Sequence, residues 1–280
     1  MSRLALLLLL VFGSVPAAIA EVGPDAAEIM ARVAENQDRA VEQRKTFVYQ
    51  QTARVRLLKT NGKLVWDETR EYDVTPTPTG TEAQLTKRYG ERRKGRDFES
   101  FVMPGEEDTD GLDPELVDSF HDDLTAQSGG RDGLSPNLFP LTSEEQKYYR
   151  FTLEGEEKLR GRPVYRIRFE PDKEHRERIW KGEVLVDKDE FQPVLVATKM
   201  ALNIPLAVRV LFGISIRQIG FSVSYDRFGE NVWFPVSYGG EFYLKVLHFY
   251  KRTIIVSTVN RDFRRATVAS DIQFEPPVEP

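Results

Sequence analysis

The chain has 280 residues, 40% hydrophobic and 30% charged, with no cysteine, three histidines and a formal net charge of −5. Without sulfur ligands, a disulfide framework, a thiolate zinc site, an iron–sulfur cluster and a cysteine nucleophile are all excluded. The acidic balance argues against nucleic-acid binding, because counterion release from phosphates needs a basic footprint. The length allows one large domain or two small ones, and an all-β domain of this size is routinely single.

The opening residues read as an export signal. Arg3 precedes an apolar run from Leu4 to Phe12, then come Pro16 and Ala18-Ile19-Ala20, the small-x-small pattern of a signal-peptidase site. A bilayer span needs roughly 20 apolar residues, and this run is about half that. The expectation is cleavage after Ala20 and a periplasmic protein of residues 21–280 with no transmembrane anchor. Loss of Arg3 with the signal leaves a net charge of −6. With no lipobox cysteine to acylate, the protein is not expected to be a bacterial lipoprotein itself.

Pro24-Asp25-Ala26-Ala27-Glu28 predicts a helix start, with Asp25 as cap and Glu28 reaching back. The helix runs to about Arg44 with Ile29, Val33, Ala40 and Val41 on one narrow face and Met30 beside it, the pattern of a covering helix. From Phe47 the period becomes two. Phe47, Tyr49, Ala53, Val55 and Leu57 share one face of a half-buried strand. Asn61-Gly62 suits a tight hairpin, after which Leu64, Trp66, Tyr72 and Val74 line a second strand. Prolines at 76 and 78 end it, and a third strand is expected to about Tyr89.

Two charge runs follow. Lys87, Arg88, Arg92, Arg93, Lys94 and Arg96 crowd a hairpin-like stretch, and Pro104 to Gly130 holds nine carboxylates with no lysine or arginine. Both read as solvated surface. Asp113-Pro114-Glu115 opens a short helix whose Leu116, Val117, Phe120 and Leu124 suit a lid. Asp108 to Asp113 has some look of a calcium loop but lacks the ligand spacing and closing glutamate, so no metal is expected.

From Tyr148 onward the chain reads as strand and turn: Glu157 to Phe169 around Gly161-Arg162-Pro163, Gly182 to Asp187, Gln192 to Val196, Leu206 to Gly220, Phe221 to Arg227, and Val232 to Tyr250 and beyond. The total is ten or eleven strands in an antiparallel meander. Enzyme signatures are scarce. His121, His175 and His248 share no metal spacing, and no nucleophile elbow or phosphate-cradling glycine loop occurs. No catalytic residue or cofactor is assigned; a hydrolase using His248 is the weakest reading. Between Leu206 and Ile216 every even position is apolar, and the following strands add Phe221, Val223, Tyr225, Phe234, Tyr238 and Phe242. So aromatic a sheet face either fills a closed core or forms a groove for acyl chains.

The entry Lys45-Thr46-Phe47-Val48-Tyr49, the strand Gly161-Arg162-x-Val164-Tyr165, and Gly182-Glu183-Val184-Leu185-Val186-Asp187 with Pro193-Val194 resemble the LolA-like superfamily of periplasmic outer-membrane lipoprotein carriers and RseB-like sensors. The resemblance implies a mainly β fold, a curved antiparallel sheet forming an incomplete half-barrel of about eleven strands, with an N-terminal covering helix and a helical lid. It implies a non-enzymatic protein that binds or transfers acylated cargo, lipoprotein or lipid. The wall residues expected to touch acyl chains are Trp66, Tyr72, Phe221, Tyr225, Phe234, Tyr238 and Phe242. Carriers of the family hold an Arg-Pro pair after the third strand that helps to release cargo. The comparable stretch is Lys87-Arg88-Tyr89-Gly90, without the proline, which leaves Arg88 as the candidate for release or docking. The alternative on the same fold is an envelope-stress sensor or interaction module that docks a protein partner.

Overall fold

The computed structural model describes residues 24–77, 80–102, 111–124, 139–175, 180–200, 214–229, 232–246 and 250–266. The expected export signal, the calcium-like stretch before Gly111, the alternation from 206 to 213 and His248 lie outside the described residues. Helix α1 spans Ala26–Arg44; its cap is the expected one, the Asp25 carboxylate accepting the Glu28 backbone N–H at 2.7 Å. Ile29, Met30, Val33, Ala34, Gln37, Ala40 and Arg44, three or four apart, form its buried stripe.

Four strands follow: β1 (Phe47–Leu58), β2 (Leu64–Thr77), β3 (Gly80–Lys94) and β4 (Asp97–Val102). Then come helices α2 (Leu112–Leu124) and α3 (Ser143–Gln146). The chain ends in β5 (Tyr149–Leu159), β6 (Arg162–Pro171), β7 (Trp180–Asp187), β8 (Pro193–Met200), β9 (Ile214–Phe228), β10 (Val232–Val246) and β11 (Tyr250–Arg265). The third strand runs five residues past its expected end. Cross-strand pairing with β2 and β4 carries the basic run into the sheet, and Gly95, with φ +66°, makes the turn.

All eleven strands form one antiparallel sheet in the order β4-β3-β2-β1-β11-β10-β9-β8-β7-β6-β5. This is the curved, incomplete barrel expected. β1 pairs with β11, so two meanders meet in the middle and β4 and β5 become the edges. The chain from β4 to β5 must therefore pass from one edge to the other, and α2 and α3 lie on that passage. The turn between β5 and β6 sits at Arg160-Gly161, both with positive φ, rather than on Arg162 and Pro163, which begin β6.

The inner face holds two main apolar clusters. The larger, under α1, gathers Ile29, Met30 and Val33 with Ile167, Phe169, Val184, Val196, Phe221 and Val223. The smaller, under α2, gathers Val55, Leu57, Trp66, Val117, Ile254 and Val256. Phe242 packs against both. Between them runs a buried polar rung in which the Gln51 amide donates to the Tyr238 hydroxyl at 2.9 Å and to Asn260 at 3.1 Å.

Candidate functional site

Strand periodicity places Trp66, Glu68, Arg70 and Tyr72 of β2 on the inner face, and register brings Arg88 opposite Arg70 and Arg92 opposite Trp66. Two charged positions thus interrupt an otherwise aromatic stripe. Burial of an unpaired charge costs several kcal/mol, so these residues must be compensated, and they are. The fully buried Glu68 carboxylate accepts from Trp66 Nε1 at 3.1 Å, from Arg70 Nε at 2.6 Å, and from two nitrogens of Arg88 at 3.0 and 3.2 Å.

Helix α2 closes this cluster from above. Its Asp118 accepts from the Arg70 guanidinium and lies 3.9 Å from that of Arg88. One turn on, buried His121 sits beside Glu68 with neither ring nitrogen hydrogen-bonded to any of the described residues. Burial, reinforced by the Arg70 and Arg88 charges, pushes its pKa down to about 2, so the ring is neutral. For Arg70, burial works to lower the pKa, but the Glu68 charge and the bonds to Asp118 and Glu68 raise it above the ordinary guanidinium value.

A second ionic anchor holds the start of α2. Asp113 takes both arms of Arg252 at 2.7 and 2.8 Å and the Tyr250 hydroxyl at 2.5 Å. Burial and the Asp113 bond together raise the Tyr250 pKa. Along the same helix, Val117 is buried while Leu116 and Phe120 are partly so, Phe120 meeting the Phe242 ring at 5.2 Å. The acidic run is therefore not merely solvated, since two of its carboxylates clamp α2 to the sheet. Nor is the basic run, since Arg88 is spent on Glu68.

Helix α1 is held differently. Arg44 Nε donates to the Trp233 carbonyl at 2.5 Å, Gln37 donates to Gln192 at 2.6 Å, and a deep apolar stripe enters the larger cluster.

Of the wall residues read from the sequence, Trp66, Tyr72, Phe221, Tyr225 and Tyr238 are buried, and Phe242 is partly so. Phe221 lies 6.2 Å from Tyr238 and 6.5 Å from Phe242, ring to ring, while Trp66 meets Phe101 at 5.8 Å. Tyr72 belongs to a neighbouring group with Tyr49, Ala53 and Val74. Phe234 stands apart from the wall. It joins Phe47, Val232, Phe228 and Phe263 at the end of the sheet where α1 enters β1, because a register shift between Pro235 and Ser237 reverses the facing of β10. The sequence reading missed Glu68, Arg70, Asp113, Asp118, His121, Tyr250 and Arg252. The one local signal was the pair of charges at 68 and 70 inside an apolar alternation.

Among the described residues no group of three or more His, Asp or Glu is placed to hold a metal ion, and no helix is long and apolar enough to cross a membrane.

Residues 130–262 match a family of unknown function, DUF5686. No curated protein matches the sequence. Solved structures that match include a LolA superfamily protein from Nitrosomonas europaea, 10% identical over 89% of this chain and 96% of that one, with a TM-score of 0.35. A DUF1329 family protein from Desulfovibrio piger is 13% identical over 89% and 96%, with a TM-score of 0.37. The MucA/MucB complex of Pseudomonas aeruginosa gives 12% over 84% and 99%, with a TM-score of 0.23.

Proposed function

We propose that the protein binds acyl chains, of a lipoprotein or a lipid, on the inner face of its half-barrel, with α2 as the displaceable cover. The observation that carries this reading is how α2 is held. Two ionic anchors, Asp113 on Arg252 and Tyr250 and Asp118 on Arg70, accompany three apolar side chains, Leu116, Val117 and Phe120, that rest on the sheet among the described residues. Carboxylate anchors can exchange protein partners for water, whereas the buried stripe of α1 cannot without exposing the larger cluster. Acyl chains would replace Leu116, Val117 and Phe120 against Trp66, Phe101 and Phe242. Each methylene taken from water contributes about 0.8 kcal/mol, so one long chain offsets the loss of three side chains worth about 1.5–3 kcal/mol each. In this reading residues 1–20 direct export to the periplasm, residues 21–280 are the binding unit, and the activity is binding or transfer rather than catalysis.

The cysteine-free sequence makes the test clean. A Phe120→Cys/Phe242→Cys pair, bridged by a short thiol cross-linker, holds α2 on the sheet. Native mass spectrometry of the wild type after gentle purification, or after incubation with a myristoylated peptide, is expected to show bound acyl species that the bridged protein does not take up. Uptake undiminished by the bridge, or none by the wild type, rules the reading out.

A further inference from the structure

Strand order decides which turns become neighbours. The β1–β2, β3–β4 and β10–β11 turns all lie at one end of the sheet, because β1 pairs with both β2 and β11, and β3 with both β2 and β4. Each of the three is basic. Lys59 and Lys63 close the first turn, Arg93, Lys94 and Arg96 crowd the second, and Lys245 and Lys251 pair across the third. Residues 59–63, 93–97 and 245–251 include one carboxylate, Asp97. Lys94 reaches Glu99 at 3.4 Å with its side chain still 70% exposed, and Arg93 donates to the Gly95 carbonyl at 3.2 Å. Among the described residues Lys59, Lys63, Arg96, Lys245 and Lys251 make no ion pair. The opposite end of the sheet does not repeat the pattern, since the β7–β8 turn carries Asp187, Asp189 and Glu190 beside Lys188.

Like charges on adjacent tips repel, and a chain of net charge −5 has no general excess of cations to account for them. They are spread over five inter-strand steps from β4 to β10, about 24 Å along the sheet. Two exposed apolar side chains share the rim. Phe98 follows the β3–β4 turn beneath the Arg93 guanidinium, and Leu112 precedes Asp113, which is bound to Tyr250 and Arg252 on either side of Lys251.

We infer that this rim docks the protein on a membrane surface rich in anionic phospholipid, with the cations on head-group phosphates and Phe98 and Leu112 entering the interface. Charge complementarity names the occupant. An extended plane of anions meets all three tips at once, whereas one small anion reaches only one of them. The Asp113 anchor of α2 lies on the same rim, so docking brings the α2-covered cluster to lipid. Docking itself stands apart from the acyl-binding reading, because a protein with a filled inner face has the same rim.

The test is flotation of the full chain with phosphatidylcholine vesicles prepared with and without phosphatidylglycerol. Binding is expected to be stronger with phosphatidylglycerol and to fall as salt rises. Each cation close to such a surface is worth about fivefold in partitioning. Lys59→Gln/Lys63→Gln and Lys94→Gln/Arg96→Gln, all at exposed positions, should each weaken binding roughly tenfold or more. Lys158→Gln/Arg160→Gln makes the same charge change at the opposite end and should leave binding unchanged. Every variant keeps residues 1–20, so any lipid affinity of that run is common to all. Equal binding to both vesicle types, no binding to either, or an equal loss from the opposite-end pair overturns the inference. The bridged Phe120→Cys/Phe242→Cys protein should still float with anionic vesicles; loss of flotation on bridging assigns the signal to acyl uptake and overturns docking. Flotation intact in a protein that takes up no acyl species removes the acyl reading and leaves docking standing. Polyglutamate bound as tightly as the vesicles, and lost in the same rim variants, assigns the rim to an acidic protein and overturns the membrane.

Discussion

His121 Nε2 lies 3.7 Å from Glu68 Oε1, beyond hydrogen-bond distance, and both side chains are fully buried. An imidazole with no hydrogen-bond partner among the described residues is stable in that setting only when neutral. The Arg70 and Arg88 guanidiniums, which also face it, oppose its protonation, while Glu68 accepts from both arginines and Asp118 from Arg70.

The first prediction follows from this pair. With α2 lifted, His121 titrates near its ordinary value of about 6.5, whereas docked it is held down to about 2. The open form therefore binds more protons between these limits. Docking of α2 is fully favourable above the ordinary histidine pKa and weakens as pH falls below it, by up to about tenfold per unit for one proton. Hydrogen exchange of residues 112–124 between pH 5 and 7.5 measures this, above the range where carboxylates protonate. A flat profile, or the same slope in His121→Phe, contradicts it.

The second concerns the Asp113 anchor. Asn at this position keeps the size but cannot pair as an anion with both arms of Arg252. We expect Asp113→Asn to weaken docking of α2 by about 1–3 kcal/mol. Exchange should accelerate across α2 and leave α1 unchanged. Equal acceleration in both helices is the contrary result.

The two helices differ in a third way. Phe120→Ala removes a partly buried ring from α2 and should increase local opening with little change in Tm. Ile29→Ala removes a fully buried side chain from the larger cluster, at a cost of about 2–5 kcal/mol to global stability. Thermal melts together with exchange separate the cases. If Phe120→Ala lowers Tm as much as Ile29→Ala, α2 is part of the cooperative core and not a cover.

A fourth concerns Gly182 on β7. A Cβ there would overlap the Ala197 carbonyl oxygen of β8, with Thr198 Cα at 2.8 Å, both backbone atoms that cannot step aside. Gly182→Ala should disrupt the β7–β8 pairing and cost more than about 2 kcal/mol. At Gly62 there is open space but a φ of +78°, so Gly62→Ala should cost only about 1 kcal/mol, from backbone strain. Melting temperatures of the two variants in that order support the register; the reverse order does not.

Elements whose causes are short-range could be read directly. The Asp25 cap and the three-and-four spacing after it mark α1, the alternation from Phe47 marks β1, and Asn61-Gly62 marks the hairpin, because a turn or a buried stripe is written within a few residues. The end of β3 was misjudged because its extension depends on cross-strand partners. Phe234 was misassigned for a related reason: alternation predicts facing only until a bulge inserts an extra residue, and the shift after Pro235 leaves no local mark.

The sequence alone thus determined the element types, the antiparallel meander and the aromatic character of one face, all consequences of local period and turn chemistry, while the open form of the sheet was implied by the family resemblance. Tertiary structure decided what that face does with charge. In a short window Glu68 and Arg70 stand out only as two charges inside an apolar alternation, with nothing local to show what pairs them. Only the pairing of β2 with β3 brings Arg88 to Glu68, and only the docking of α2 supplies Asp118, 48 residues from Arg70 in sequence. A buried ion is tolerated only when its partners complete it, and for this cluster Arg88 and Asp118 come from distant segments, so the local charges alone could not show how they are paired.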